Sequence, residues 1–186
     1  MKDEDRKAYS PERIDEAAAQ VARLADRAGV RVGLCGGLAL QAFGSQRLTK
    51  NVDFIAQLPI DGLPIVRKLT FGGMETVAPN GVPVNVIVRD DDYRGLYESA
   101  LASATKRSGT PCPIASAEYL AAMKLAARRQ RDLVDLHWLI VAGGLDLHLT
   151  RKIIGQFVGG RFAVDAFDRE VDVAKLDAAR ESRVRR

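Results

Sequence analysis

A chain of 186 residues and 20.3 kDa, 47% hydrophobic and 28% charged, has the length and apolar content of one compact domain with a real core, which excludes a wholly disordered polymer. No stretch reaches the roughly 18 apolar residues of a membrane helix, and the charged residues 1–10 lack the apolar run of a secretion signal, so the expected location is the cytoplasm, with no membrane partner. Lys and Arg number 28 against 24 Asp and Glu, and the pI near 9.2 gives a mildly basic surface suited to anionic ligands.

Ser10, Pro11 and Glu12 read as a cap, a proline at the first helical position and an acidic first turn. Apolar spacing at Ile14, Ala17, Val21, Leu24 and Ala25 then predicts a helix to about Ala28, stopped by Gly29. Residues 30–35 form a short β-rich run that ends in Gly36-Gly37, and residues 38–43 have helical composition before Gly44. Further strands are predicted at 51–57, 68–71, 75–78 and 82–88, with turn signals at Gly72-Gly73 and Asn80-Gly81. Beyond Asp90 the pattern becomes helical, over 92–104, 116–128, 130–142, 150–158 and 163–180, and the final Arg-rich residues are expected to fray. The expected class is α/β (α+β): a small mixed sheet flanked by helices in the N-terminal two-thirds, with a helical C-terminal third. No linker or repeat divides residues 1–186, so a single domain is expected, with its sheet-bearing core over 30–90 and its helical part over 115–180.

Chemistry concentrates in residues 36–53. A glycine turn lets backbone N–H groups approach a phosphate closely, and a helix that follows adds a favourable dipole. Residues i and i+2 of a strand share a face, so Asn51 and Asp53 project together toward whatever that turn holds. Paired glycines also punctuate chains without any ligand, and both readings of Gly36-Gly37 stay open.

The run Gly36-Gly37, Arg47-Leu48-Thr49 and Asn51-Val52-Asp53 resembles the signature of the polymerase-beta-like nucleotidyltransferase superfamily, particularly its small bacterial AbiEii-toxin-like branch. A second stretch, Lys124-Leu125-Ala126-Ala127 followed by Arg128, Asp132-Leu133 and Asp135-Leu136, is similar to the helical motif of the same branch, and the two together span residues 30–140. The resemblance implies transfer of a nucleoside monophosphate from an NTP to a hydroxyl acceptor, with Gly36, Gly37, Arg47, Thr49 and Lys124 on the nucleotide. It also implies Mg²⁺ held by carboxylates and an RNA or protein acceptor, with a cognate antitoxin-like protein as a further partner.

The ligand set departs from that pattern. Of the three positions where the family places carboxylates, the first is Asn51, the second Asp53 and the third Asn85. The metal ligands implied are therefore Asp53 and Asn51, with Asn85 completing the catalytic set. An amide oxygen supplies only part of a carboxylate's attraction for a hard cation, and each lost unit charge removes about 4 kcal/mol at about 4 Å and an effective dielectric of about 20. A catalytically inactive member that binds a nucleotide, a nucleic acid or a protein is the alternative reading. A displaced acid, Glu75 or one of Asp90, Asp91 and Asp92, offers a substitute ligand, against the ordinary role of three consecutive acids as a solvated turn and helix cap.

Other residues have structural readings beside chemical ones. Lys124 either reaches a phosphate or snorkels from a core helix. Asp132 and Asp135 are expected to pair with Arg128 or Arg131. His137 is expected to pack rather than act as a base. Arg180, Arg183, Arg185 and Arg186 suit either nucleic-acid contact or a solvated tail. Cys35 and Cys112 are expected as reduced structural thiols.

Overall fold

The computed structural model describes residues 9–184, and the charged N-terminal residues 1–8 together with Arg185 and Arg186 lie outside it. The described chain forms two compact units: one runs to Ala42 and resumes over Gln46–Ala115, and the other comprises Phe43–Ser45 and the chain from Ser116 onward.

The first unit opens with α1 (Pro11–Arg27). The Ser10 hydroxyl oxygen accepts the Arg13 N–H at 3.4 Å, as a capping serine should, and Pro11 presets the first turn. Ile14, Ala17, Ala18, Val21 and Ala25 form the buried stripe of this helix, which packs on the sheet through β2.

Strands β1 (Val32–Cys35), β2 (Val52–Ala56), β3 (Arg67–Lys68), β4 (Met74–Val77) and β5 (Pro83–Ile87) make one sheet in the order β1-β2-β5-β4-β3. Among these strands only β2 and β5 run parallel, so the sheet is mixed, as expected. Val52, Phe54, Val84 and Val86 are buried on one face, and the two-residue period leaves Asp53 and Asn85 partly accessible on the other. The strand expected at 68–71 shrinks to Arg67–Lys68, because Leu69 donates its N–H to the Gly73 carbonyl at 3.0 Å and the chain turns there. Gly73 has φ +95°, and a Cβ at that position would stand 2.1 Å from the Val86 carbonyl oxygen of β5, so only glycine lets the backbone pass.

Short α2 (Gly36–Ala42) follows β1 directly and packs on β1 and β2, while α3 (Arg94–Ala102) follows β5 and also contacts β2. Asp90, Asp91 and Asp92 between β5 and α3 are exposed. Asp91 closes the turn, accepting the Tyr93 N–H on Oδ1 at 3.2 Å and the Arg94 N–H on its carbonyl at 2.9 Å.

The second unit is helical: α4 (Ala117–Ala127), α5 (Gln130–Val141), α6 (Leu147–Ile154), a π-helical turn Gly155–Gly159 and α7 (Gly160–Val184). The helix expected at 150–158 begins earlier because Asp146 caps it, its Oδ1 accepting the N–H groups of His148 and Leu149 at 2.9 and 3.0 Å. It ends earlier because the glycine-bounded stretch that follows widens into the π turn. The last helix extends beyond the expected 163–180 at both ends and includes Arg180. His137 of α5 meets Glu170 of α7 at 2.6 Å, and Arg151 of α6 meets Asp168 of α7 at 2.8 Å. Among the described residues no helix is long and apolar enough to cross a membrane.

Candidate functional site

Strand register builds the site. Cys35 of β1 lies opposite Asp53 of β2, Asp53 opposite Asn85 of β5, Asn85 opposite Glu75 of β4, and Glu75 opposite Arg67 of β3. Residues directly opposite share a face, so these five side chains form one row across the sheet.

At the centre of the row Asp53 Oδ1 accepts two amide hydrogen bonds, from Asn51 Nδ2 at 2.8 Å and from Asn85 Nδ2 at 2.7 Å. An ionised carboxylate can only accept, so both amides must present their N–H groups to it and turn their own oxygens away. The other carboxylate oxygen, Oδ2, lies against Gly36. Gly36 has φ +63°, and a Cβ there would stand 2.1 Å from Asp53 Oδ2. Glycine at 36 thus answers two demands, a left-handed backbone and close approach of an acid.

Gly37 is confined from the other side, where a Cβ would meet Thr49 Oγ1 at 2.8 Å and Arg47 Nη1 at 3.7 Å. The Thr49 hydroxyl donates to the Asn51 carbonyl at 2.9 Å, and the Arg47 carbonyl accepts Gln41 Nε2 at 2.7 Å, which ties the loop between α2 and β2 back to the helix. Gly36, Gly37, Arg47, Thr49, Asn51, Asp53 and Asn85, separated by as many as 49 positions in sequence, therefore meet in one place in the first unit.

Lys124 belongs to the second unit, where its ammonium donates to Asp132 Oδ1 at 3.0 Å and to Asp135 Oδ2 at 2.6 Å. The two aspartates form ion pairs not with Arg128 or Arg131, as expected, but both with Lys124, and Asp132 also with Arg129, whose Nε stands 2.6 Å from Asp132 Oδ2. The physical reason is the junction of α4 and α5: Arg128 adopts φ 51° and closes α4, and the chain reverses so that Lys124 faces the first turns of α5. Burial alone would raise the Asp132 carboxyl, but hydrogen bonds and charge from Arg129 and Lys124 outweigh it and hold the group below the ordinary aspartate range.

Of the substitute acids, Glu75 shares the Asn85 face but is engaged by Arg67 at 2.5 Å. Asp91 is bidentate to Arg89, with Nε to Oδ1 at 2.8 Å and Nη2 to Oδ2 at 2.6 Å. Among the described residues no group of three or more His, Cys, Asp or Glu could hold a metal ion. The Mg²⁺ that the sequence resemblance implies finds, among the three positions 51, 53 and 85, one carboxylate, already bridged on Oδ1 by two amide donors, and this donor set does not fit it.

Two side chains near the site carry no sequence motif. The Tyr97 hydroxyl on α3 is raised above the ordinary tyrosine range, mainly by burial and then by the neighbouring Cys35, with Asp53 and Asp91 adding to the effect and Arg89 opposing it. The Arg89 guanidinium packs against the rings of Phe71, Tyr93 and Tyr97, with its Cζ at 4.8, 5.2 and 5.0 Å from their centroids. Neither was foreseen, because their shared location depends on how α3 docks on the sheet. Cys35 and Cys112 are buried, and neither forms a disulfide.

No family model and no curated protein matches the sequence. Among solved structures, an antigenic nucleotidyltransferase-like protein from Paracoccidioides brasiliensis superposes with a TM-score of 0.50 at 17% identity, over 87% of this chain and 94% of that one. The antibiotic-resistance factor ANT(2'')-Ia matches in its solution structure with a TM-score of 0.45 at 12% identity, over 92% of this chain and 97% of that one. Its crystal structure in complex with adenylyl-2''-tobramycin gives 0.40 at 16% identity, over 89% and 95%. The fold is accordingly nucleotidyltransferase-like: a five-stranded mixed sheet with flanking helices, followed by helices that end in a long C-terminal one.

Proposed function

We propose that this chain binds a nucleoside triphosphate in the manner of a nucleotidyltransferase, with NMP transfer to a hydroxyl acceptor as its reaction class and Asp53 as the only carboxylate of its central set. The observation that carries this reading is the convergence of residues 51, 53 and 85 beside the Gly36-Gly37 pair, within a nucleotidyltransferase-like fold. Gly36, Gly37, Arg47 and Thr49 take the phosphates, since a glycine backbone and a guanidinium are the groups that recognise them. Asp53 supplies the one fixed negative charge at the reacting end, and the two amides orient it. RNA and protein hydroxyls are the acceptor classes to test, and an antitoxin-like protein is the partner to test.

Binding without transfer is the second reading, and it is motivated by Asp53 Oδ1 already accepting both amides. One experiment separates the two. Thermal unfolding with ATP, GTP, CTP and UTP, with and without Mg²⁺ or Mn²⁺, is paired with incorporation of α-labelled NMP into RNA and protein acceptors. A nucleotide-dependent rise in Tm together with label transfer supports the enzyme, and the rise alone supports the binding protein. If no nucleotide raises the Tm of the native chain under any ion condition, the NTP reading is wrong.

A further inference from the structure

A groove of about 810 Å³ opens at the β1 edge of the sheet, and none of the residues that line it belongs to the Asp53 cluster. Its origin is a ladder that cannot continue. In β1 the residues that bond to β2 alternate, and Arg31 accepts the Gln57 N–H on its carbonyl, so the backbone groups of Val32 and Leu34 point the other way, off the outer edge. Leu34 is satisfied there: it donates to the Pro113 carbonyl at 2.8 Å and accepts the Ala115 N–H at 3.0 Å. One step back along the same parallel pairing, the donor to the Val32 carbonyl would be residue 113, which is proline and has no N–H. Among the described residues no hydrogen bond reaches Val32 on that edge, and Val32 lines the groove.

The rest of the lining sets the ligand's character. Ala22 of α1 and Leu101 of α3 contribute apolar surface. Arg23, Arg31 and Lys106 contribute three cationic heads against the single carboxylate of Asp26. Arg31 donates Nε to Gln57 at 3.3 Å, while Arg23 and Lys106 form no ion pair among the described residues. The Cys112 thiol in the same wall is pushed up to about 11, chiefly by burial, so it is not a thiolate at neutral pH and covalent capture is not its role.

We infer that this groove is a second ligand site, for a nucleoside monophosphate, with the Val32 backbone pairing to the base edge and Arg23, Arg31 and Lys106 holding the phosphate. An N–H and a C=O of one residue on one edge are complementary to adjacent acceptor and donor atoms, the pattern a nucleobase edge offers. A flat ring suits the apolar walls, and the volume lies within the range of small-ligand pockets. A dianionic phosphate suits an excess of cations.

The test titrates the full chain with AMP, GMP, CMP and UMP, using inorganic phosphate and the uncharged nucleosides as controls, by calorimetry and by amide chemical-shift mapping. At least one monophosphate should bind at least tenfold tighter than inorganic phosphate or its nucleoside, with the largest shifts at Arg31, Val32 and Lys106. Its Kd should rise at least tenfold in Arg23→Glu/Lys106→Glu, which alters two exposed side chains, and in Ala22→Phe, which fills the groove, each checked for an unchanged far-UV spectrum. Several outcomes overturn the inference: no monophosphate binding, phosphate binding as tightly as the nucleotide, Kd values indifferent to both groove variants, or shifts confined to Gly36, Gly37 and Asp53. The shift map separates the two sites, so failure here is distinguishable from failure of the NTP reading at Asp53.

Discussion

Asn85 and Asp53 stand directly opposite each other on the parallel strands β5 and β2, with the Asn85 amide donating to Asp53 Oδ1 at 2.7 Å. A carboxylate at position 85 would therefore face an existing carboxylate with no proton between them. Asn85→Asp should lower stability at neutral pH by about 1.5–3 kcal/mol, the usual worth of a hydrogen bond to a charged group. Mn²⁺ should raise the Tm of the variant Asn51→Asp/Asn85→Asp more than that of the native chain, read by thermal melts at several pH values with and without the ion. An equal ion response in both proteins would show that these positions are not where a metal binds.

Gly36→Ala places a Cβ on Asp53 Oδ2 and forces a left-handed backbone on alanine. The backbone alone costs about 1–2 kcal/mol, and displacement of Asp53 adds to it. A urea midpoint lowered by more than that strain, with an unchanged slope, is the expected outcome.

Lys124→Met leaves the buried Asp132 and Asp135 without their shared ammonium. Breaking a buried pair from one side costs about 3–5 kcal/mol. The sign with pH follows from Asp132, whose folded carboxyl is held below the ordinary value. Its stabilisation is complete above roughly pH 4, the unfolded range, and is lost as pH falls through the folded value. The difference between native and Lys124→Met proteins should thus be larger at pH 7 than at pH 3, measured by urea unfolding at each pH.

Thr76 on β4 is fully buried, and its hydroxyl has no hydrogen-bond partner among the described residues. Thr76→Val keeps the shape and removes the unsatisfied group, so it should stabilise by about 1 kcal/mol, or roughly 2–4 °C in Tm for a chain of this size. A lower Tm would mean that the hydroxyl is satisfied in solution.

Local signals carried most of the secondary structure. The Ser10-Pro11 start of α1, the Gly36-Gly37 break and the apolar alternation of β2 and β5 each encode their element within a few residues, because capping, glycine conformation and two-residue periodicity are short-range. The errors fell where short-range rules compete. Asp146 took over the start of α6 as its cap, and the close passage of Gly73 beside Val86 cut the third strand to two residues.

The sequence by itself determined that a glycine pair is followed by Asn51 and Asp53 two residues apart, Asn51 at the entry to β2 and Asp53 within it, since residue spacing along an extended chain settles which side chains travel together. Tertiary structure alone decided that Asn85 closes on the same oxygen of Asp53, that Lys124 is claimed by Asp132 and Asp135, and that Arg89 and Tyr97 come near the site. Those facts depend on strand register and helix docking, which are fixed by the burial of the whole apolar face rather than by any one residue's neighbours in the chain.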